Sequence, residues 1–183
     1  NSDFVDAAFA EQFSNRLRIH HATTSQKFKK KAFEYAFVEA ARRGGHEASL
    51  AASATTPGAD TVRGGVRFSL KTEASINISI NSITISKFSE ARWIRECRSP
   101  LDFCRGVQSR IPRHLSEYDR IITLRAIDQG SGCVRYDLVE IPIEVLRRVE
   151  TLTPEDFSPR TKHGSSSAAV FDLTGHRLFR IRL

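Results

Sequence analysis

The sequence predicts an α/β protein with one central mixed β-sheet flanked by helices and a β-hairpin at its C-terminal end. Two amphipathic helical segments precede a pair of strands, further helices and a second pair of strands, an order typical of one α/β domain. The 183 residues, 40% of them hydrophobic, suffice to bury a core without disulfides. We expect one domain over 1–183, with a core at about 25–143, an N-terminal helix over 1–24 and a C-terminal extension over 144–183.

The N-terminal segments carry helical patterns. Apolar residues recur at helical spacing over 2–21, and Ser2 is the expected N-cap. Ser25 is expected to cap a second helix that ends at Gly44-Gly45. We place the main apolar stripe of this helix at Phe28, Ala32, Tyr35 and Ala36, with Phe33, Phe37 and Ala40 on a neighbouring side. Residues 46–57 are small and polar, which predicts a loop.

Two strands are expected next, paired as a hairpin. "GVRFSLKTEA" (65–74) alternates, and "INISINSITIS" (76–86) is rich in β-branched residues. A helix over 87–98 and another from Pro100 should follow, and Pro112 should end or kink the second.

The remainder of the chain predicts two more strands and a hairpin. The strands are "RIITLRAI" (120–127) and "VRYDLVEIPI" (134–143). A short helix over 144–150 and a loop over 151–167 should follow, before a hairpin that turns at Thr174-Gly175.

The charge of the sequence indicates the kind of binding partner, and its cysteine content indicates the cellular compartment. Lysine and arginine number 28 against 21 acidic residues, and the pI near 9.7 favours a polyanionic partner, nucleic acid first. Three cysteines without metal-ligand spacing fit buried thiols in a reducing cytoplasm. No apolar run approaches the length of a membrane span, so no membrane is expected. The chain starts at Asn1 and lacks methionine, so we expect a fragment or a trimmed chain.

The polar face of the first strand carries candidate chemistry. A period of two puts Ser69, Lys71 and Glu73 on the face opposite the apolar residues. Asp60 would approach that face if the chain turns at Gly64-Gly65. Acids beside a lysine suit magnesium-assisted phosphodiester cleavage, in which the metal stabilises developing charge and the lysine positions or activates water. Such a face, taken by itself, is more typical of ordinary solvated surface.

The stretch "PGAD…GGVRFSLKTEA" resembles the PD-(D/E)XK nuclease superfamily, which includes type II restriction endonucleases and the methyl-directed mismatch-repair nuclease. The helix "KKKAFEYAF" before it and the strand, helix and apolar strand after it belong to the resemblance, which covers about 25–127. "LKTE" and "ITISKF" look most like restriction-enzyme members. The resemblance implies a restriction-endonuclease-like fold and a Mg²⁺-dependent endonuclease of double-stranded DNA, with a homodimer expected by analogy.

The resemblance also implies roles for single residues. Asp60 would be the metal-binding aspartate and Lys71 the catalytic lysine. Ser69 stands where the family usually has glutamate or aspartate. A serine hydroxyl is a poorer Mg²⁺ ligand than a carboxylate, so the site is either rebuilt or impaired.

Three glutamates are candidates to replace the missing acid. Glu73 lies one step beyond Lys71 and would reach a metal if the strand bends. Superfamily members often use a glutamate of the first helix, a placement that Glu34 matches. Helical phase instead favours Glu39, which falls on the side assigned as packed. We place Glu34 first, although an exposed i,i+4 pair with Lys30 is its alternative role.

Basic residues from two stretches are expected to contact DNA phosphates. They are Lys30, Lys31, Lys87, Arg92, Arg95, Arg105 and Arg110. The serine in place of an acid leaves a second hypothesis open, a DNA-binding module with a nuclease fold but no cleavage. A third is an unrelated α/β scaffold.

Overall fold

Five strands form one mixed sheet, in the order β1-β2-β3-β4-β5. The structure is a computed structural model and describes residues 3–51, 58–85 and 92–183. Strands β3 and β4 are parallel, and the other neighbouring pairs are antiparallel, which confirms the predicted α/β class. The strands are Ala48–Leu50 (β1), Thr61–Arg63 (β2), Val66–Glu73 (β3), Arg120–Asp128 (β4) and Val134–Ile141 (β5).

The chain divides into two units. The sheet unit, Asn1–Ile85 with Glu117–Ile141, holds the five strands and two helices, Ala7–Thr23 (α1) and Lys30–Arg43 (α2). The second, which we call the hairpin unit, is Ser86–Ser116 with Pro142–Leu183. Its helices and strands are Pro100–Leu115 (α3), Ile143–Arg147 (α4), Ser167–Phe171 (β6) and Arg177–Arg182 (β7). The single domain over 1–183 stays a prediction.

Phenylalanine rings form the core between the two helices and the sheet. Phe9 and Phe13 of α1, Phe33 and Phe37 of α2, and Phe68 of β3 are almost fully buried. Neighbouring rings in this group, together with Phe4, have centroids 5.3–6.2 Å apart. Such aromatic contacts add to the gain from burying apolar surface and hold α1 and α2 on one face of the sheet.

Both N-terminal helices begin later than predicted. Helix α1 begins at Ala7, where the Asp6 carboxylate accepts the Phe9 N–H at 2.7 Å and so acts as the cap expected of Ser2. Helix α2 begins at Lys30 without a side-chain cap, so the Ser25 cap was wrong. The predicted end at Gly44-Gly45 is confirmed, because Gly44 is the C-cap.

The packed side of α2 differs from the predicted stripe. Tyr35 is 52% exposed, so it lies outside the core. The buried face of α2 is therefore rotated from the predicted stripe toward the neighbouring side of the helix, which carries Phe33, Phe37 and Ala40. The buried residues of the helix are Phe33, Ala36, Phe37, Val38, Ala40 and Ala41.

The candidate strand β3 is the second strand of a hairpin that turns at Gly64-Gly65, where the approach of Asp60 required a turn; its first strand, β2, was not predicted. Strands β2 and β3 pair antiparallel around Gly64 and Gly65, both of which have positive φ, 54° and 80°. Two successive positive φ values suit the tight hairpin turn that glycine adopts without strain. Strand β1 completes the meander and replaces part of the loop predicted over 46–57.

The second strand predicted, over 76–86, is not a strand in the described residues. Residues 74–85 form no regular structure. Strand β3 is already flanked by β2 and β4, so it has no free edge for a hairpin partner. The guanidinium of Arg125 donates instead to the carbonyls of Ser79, Ile80 and Ser82, which holds the segment at the end of the sheet.

Helix α3 continues through the proline that was expected to end or kink it. Ser99 caps it through a capping box with Asp102, and the helix runs past Pro112 to Leu115. Pro112 lacks an N–H to donate within the helix, but only three residues of α3 follow it, so little of the helix lies beyond the disruption. Of the helix predicted over 87–98, residues 92–96 form a 3₁₀ helix, and 87–91 lie outside the described residues.

The C-terminal predictions are largely confirmed. Strands β4 and β5 are present as predicted, and they pair antiparallel. The short helix appears as α4 followed by a 3₁₀ turn over Arg148–Thr151. A further 3₁₀ turn, Pro154–Asp156, lies in the predicted loop. Strands β6 and β7 form the hairpin around Thr174-Gly175.

Gly106 of α3 leaves no room for a side chain. A Cβ at this position would overlap the six-membered part of the buried Trp93 ring. We expect Gly106→Ala to lower the free energy of unfolding of the hairpin unit by about 1–3 kcal/mol, the usual cost of overpacking. Urea denaturation followed by Trp93 fluorescence measures the change, and Ser109→Ala, at an exposed position of the same helix, is the control.

The structure also bears on the predictions about the cysteines and about membrane-spanning segments. Cys97 and Cys104 are buried free thiols, whereas Cys133 is exposed. Among the described residues, no helix combines the length and apolar character that crossing a membrane requires. The cytoplasmic location stays a prediction.

Candidate active site

The β2–β3 hairpin brings the Asp60 carboxylate against the middle of β3. Its Oδ2 atom accepts the Leu70 N–H at 2.6 Å and the Ser69 hydroxyl at 3.3 Å. The backbone N–H of Asp60 also donates to the Phe68 carbonyl. One carboxylate oxygen is therefore held by the strand. The other, Oδ1, is turned toward helix α2.

Helix α2 supplies an ammonium and a second carboxylate at this point. Lys30 Nζ lies 2.8 Å from Asp60 Oδ1 and 3.5 Å from Glu34 Oε1, so one cation contacts both acids. Burial and then the Asp60 charge raise the pKa of Glu34, against the opposing charges of Lys30 and Lys71. Burial disfavours the charged form of Lys30, but the hydrogen bond and charge of Asp60 outweigh it, and the pKa of Lys30 is raised.

Lys71 lies on the Ser69 face of β3 and is partly buried. Burial lowers the pKa of its ammonium, and the charges of Asp60 and Glu34 counteract this effect while Lys30 adds to it. Asp60, Glu34, Lys30 and Lys71 thus influence one another electrostatically. Two acids and two lysines make up the centre of the candidate site.

Ser69 takes a role that differs from that of the acid it replaces. Its side chain is almost fully buried, and its hydroxyl is directed at Asp60 Oδ2. The residue therefore helps to hold the aspartate rather than facing a cation itself. The polar face of β3 is not the solvated surface that the strand pattern also allowed, because both Ser69 and Glu73 are buried.

Two of the three candidate glutamates lie away from this cluster. Glu73 Oε2 accepts from Arg125 Nε at 2.6 Å, and Oε1 accepts the Thr84 N–H at 3.1 Å, so both oxygens are engaged. Glu39 forms ion pairs with three arginines, the shortest of them from Arg16 Nη2 to Glu39 Oε2 at 3.1 Å. The structure brings Glu34 together with Asp60 and leaves Glu73 and Glu39 in other contacts. The helical phase that favoured Glu39 followed from the misplaced stripe of α2.

Further residues near the cluster were missed from sequence. Thr123 is the register partner of Lys71 on β4, is fully buried, and its Oγ1 has no hydrogen-bond partner among the described residues. Tyr118 is also buried, and burial, Glu117 and Asp60 raise its pKa. Neither residue belongs to a spacing pattern with Asp60. Only the parallel pairing of β3 with β4 places Thr123 here.

The predicted DNA contacts fall in both units. Lys30 and Lys31 are exposed at the start of α2, whereas the others in described regions belong to the hairpin unit. The guanidinium of Arg110 lies 5.8 Å from the Trp93 ring centroid. Lys87 lies outside the described residues. The arginines of the hairpin unit that were predicted to contact DNA, all exposed, are Arg92, Arg95, Arg105 and Arg110.

The donor atoms at the cluster are suited to a hard cation with an incomplete protein shell. Across residues 3–51, 58–85 and 92–183, no group of three or more acidic, histidine or cysteine side chains is arranged for a metal ion. Mg²⁺ is, however, usually held by one or two carboxylates, with waters and substrate phosphates completing its octahedron. Asp60 and Glu34 supply two carboxylates, and the unpartnered Thr123 hydroxyl marks a further polar position on the Lys71 face. These residues fit Mg²⁺.

The mixed sheet, with Lys71 on β3, Asp60 just before β2 and Glu34 on the helix α2, agrees with the class of restriction-endonuclease-like nucleases that the sequence resembles. Residues 1–167 match the family described as SmaI, type II site-specific deoxyribonuclease. The chain belongs to this family. It is 34% identical over 172 residues to the type II restriction enzyme SmaI of Serratia marcescens, across 90% of this chain and 64% of that enzyme. No solved structure gives a significant match.

Proposed function

We propose that the chain is a Mg²⁺-dependent endonuclease that hydrolyses phosphodiester bonds in double-stranded DNA, in the manner of type II restriction enzymes. The observation that carries the proposal is that the carboxylates of Asp60 and Glu34 both contact the Lys30 ammonium, and that the charges of both acids act on Lys71. Family membership supports it. The chain spans 64% of the length of the curated relative, so the activity of this chain needs its own test.

The proposed roles follow from the contacts. Asp60 and Glu34 would hold Mg²⁺, which when bound stabilises negative charge on the scissile phosphate. The Leu70 N–H and the Ser69 hydroxyl hold the Asp60 carboxylate in one orientation. Lys71 would position the attacking water and stabilise developing negative charge, since its ammonium is partly buried and the charges of both acids act on it. Glu73 has no part in this scheme, because Arg125 engages it.

Phosphate contacts are proposed for the exposed lysines and arginines of both units. They are Lys30, Lys31, Arg92, Arg95, Arg105 and Arg110, and Lys87 stays a sequence-based member of the set. Each cation that neutralises a phosphate makes binding more sensitive to salt. We also propose a homodimer, because cutting both strands of a symmetric sequence favours two-fold symmetry. Multi-angle light scattering measures the oligomeric state.

We expect cleavage of duplex DNA with Mg²⁺ or Mn²⁺ and none with EDTA, and Lys71→Met should lower the single-turnover rate about 10²-fold. The matched control is Lys162→Met, which removes the same charge at an exposed position of the hairpin unit and should stay within twofold. Gel electrophoresis of the products gives the rates. Undiminished cleavage by Lys71→Met would contradict the assigned role.

A second candidate function, DNA binding without cleavage, is favoured by one observation. Ser69 replaces the usual acid, and the described residues contain no three-acid group. Tight binding of duplex DNA by the wild-type chain, with no cleavage in either metal, would support this alternative and reject the first proposal.

A further inference from the structure

We propose that the Lys30 ammonium occupies the place of the divalent cation, as an internal counter-ion that metal binding displaces. The inference rests on the proposed function and concerns how its site is filled. Lys30 Nζ lies 2.8 Å from Asp60 Oδ1 and 3.5 Å from Glu34 Oε1. A cation already lies between the two carboxylates that are the metal ligands of the proposed function.

The Asp60 contacts show why the two cations compete. Oδ2 is taken by the Leu70 N–H and the Ser69 hydroxyl, and the backbone of β3 fixes that side of the carboxylate. Oδ1 is the oxygen available to a metal ion, and Lys30 donates to it. A metal ion and the ammonium cannot both lie against Oδ1 without strong repulsion between like charges.

An ordinary helix pair does not explain the position of Lys30. Lys30 is the first residue of α2, where the helix dipole disfavours a cation. Lysine four residues before glutamate is also the weaker orientation of an i,i+4 pair. The shorter contact is to Asp60, which comes from another element of the sheet unit. The two acids together account for the location of this ammonium at a helix start.

Displacement is physically accessible. The Lys30 side chain is 47% exposed, so the ammonium can return to water at little cost. Ion pairs with a cation as exposed as Lys30 are weak, and a divalent ion at the two carboxylates outweighs them. The released side chain then lies free at the start of α2, beside the exposed Lys31, where a DNA phosphate is the expected partner.

The test measures Mn²⁺ binding without DNA, by electron paramagnetic resonance of the free ion at low salt. Lys30→Met keeps most of the side-chain stem and removes the charge, and should tighten Mn²⁺ binding at least threefold. Lys31→Met removes the same charge from the next, exposed residue and should change binding less than twofold. Circular dichroism checks that both variants are folded. Unchanged or weaker binding by folded Lys30→Met overturns the inference.

Asp60→Asn separates this inference from the proposed function. If Asp60→Asn leaves Mn²⁺ binding intact in the wild-type and Lys30→Met backgrounds, the metal site lies elsewhere and both proposals fail. If it abolishes binding while Lys30→Met does not tighten it, only the counter-ion role fails.

A second measurement follows the ammonium directly. After reductive ¹³C-methylation of the lysines, the resonance that is absent from Lys30→Met should shift when Mg²⁺ is added. The resonance absent from Lys31→Met should stay in place. A Lys30 resonance that ignores a saturating Mg²⁺ concentration contradicts displacement.

Discussion

Asp60→Asn is expected to lower the rate of DNA cleavage by about 10³-fold and to leave the fold and DNA binding in place. The asparagine amide oxygen can still accept the Leu70 N–H, so the β2–β3 hairpin keeps its contact. The amide nitrogen then takes the position of Oδ1 and cannot bind a metal ion. A loss of about 4 kcal/mol of transition-state stabilisation, within the range of metal-ion catalysis, corresponds to this factor.

Single-turnover cleavage with saturating enzyme measures the change in rate, and fluorescence anisotropy with Ca²⁺ in place of Mg²⁺ measures DNA affinity. Asp119→Asn is the control, because it makes the same chemical change at a half-exposed carboxylate paired with Arg67. It should stay within threefold of the wild type. A reduction below tenfold in Asp60→Asn would remove Asp60 from the metal site.

Arg125→Met is expected to lower the free energy of unfolding by about 3–5 kcal/mol. Arg125 and Glu73 are both buried and form an ion pair at 2.6 Å. Removal of the arginine leaves the Glu73 carboxylate buried and uncompensated, which is the costly way to break such a pair. The carbonyls of Ser79, Ile80 and Ser82 lose their donor at the same time.

Urea denaturation followed by circular dichroism measures the loss. Arg135→Met is the matched control on the neighbouring strand, where the exposed Arg135 pairs with Asp137, and it should cost less than 1 kcal/mol. Adding Glu73→Gln to Arg125→Met removes the buried charge and should recover part of the stability. A loss below 1 kcal/mol in Arg125→Met would show that the pair is not buried as described.

Sequence patterns predicted the long elements because each carries a period. Strands β3, β4 and β5 alternate or are continuously apolar, and α1 and α2 repeat phenylalanine at helical spacing. Strands β1 and β2 escaped prediction because three residues show no period. Segment 74–85 has the composition of a strand, but it could form one only beside a strand with a free edge. Whether β3 has a free edge depends on the whole sheet and cannot be read from the segment itself.

The candidate site was predicted in part for a similar reason. Asp60 and Lys71 lie on one hairpin, so local spacing related them. Glu34 came from the family resemblance. The position of Lys30 between the acids depends on how α2 packs against the sheet, which no local pattern encodes. Thr123 depends on the parallel pairing of two strands that are about fifty residues apart in the chain.

The Gly64-Gly65 turn also limits how the sequence can vary. The turn fixes the register in which Thr61 pairs with Phe68. This register in turn brings the Asp60 carboxylate to the Leu70 N–H. One residue inserted in either strand would turn the carboxylate to the opposite face, because side chains alternate. Only equal extension of both strands preserves the contact. In related sequences, the number of residues between the aspartate and the lysine should therefore differ from that in this chain by an even number. This rule can identify the corresponding aspartate in a relative whose surrounding sequence is no longer similar.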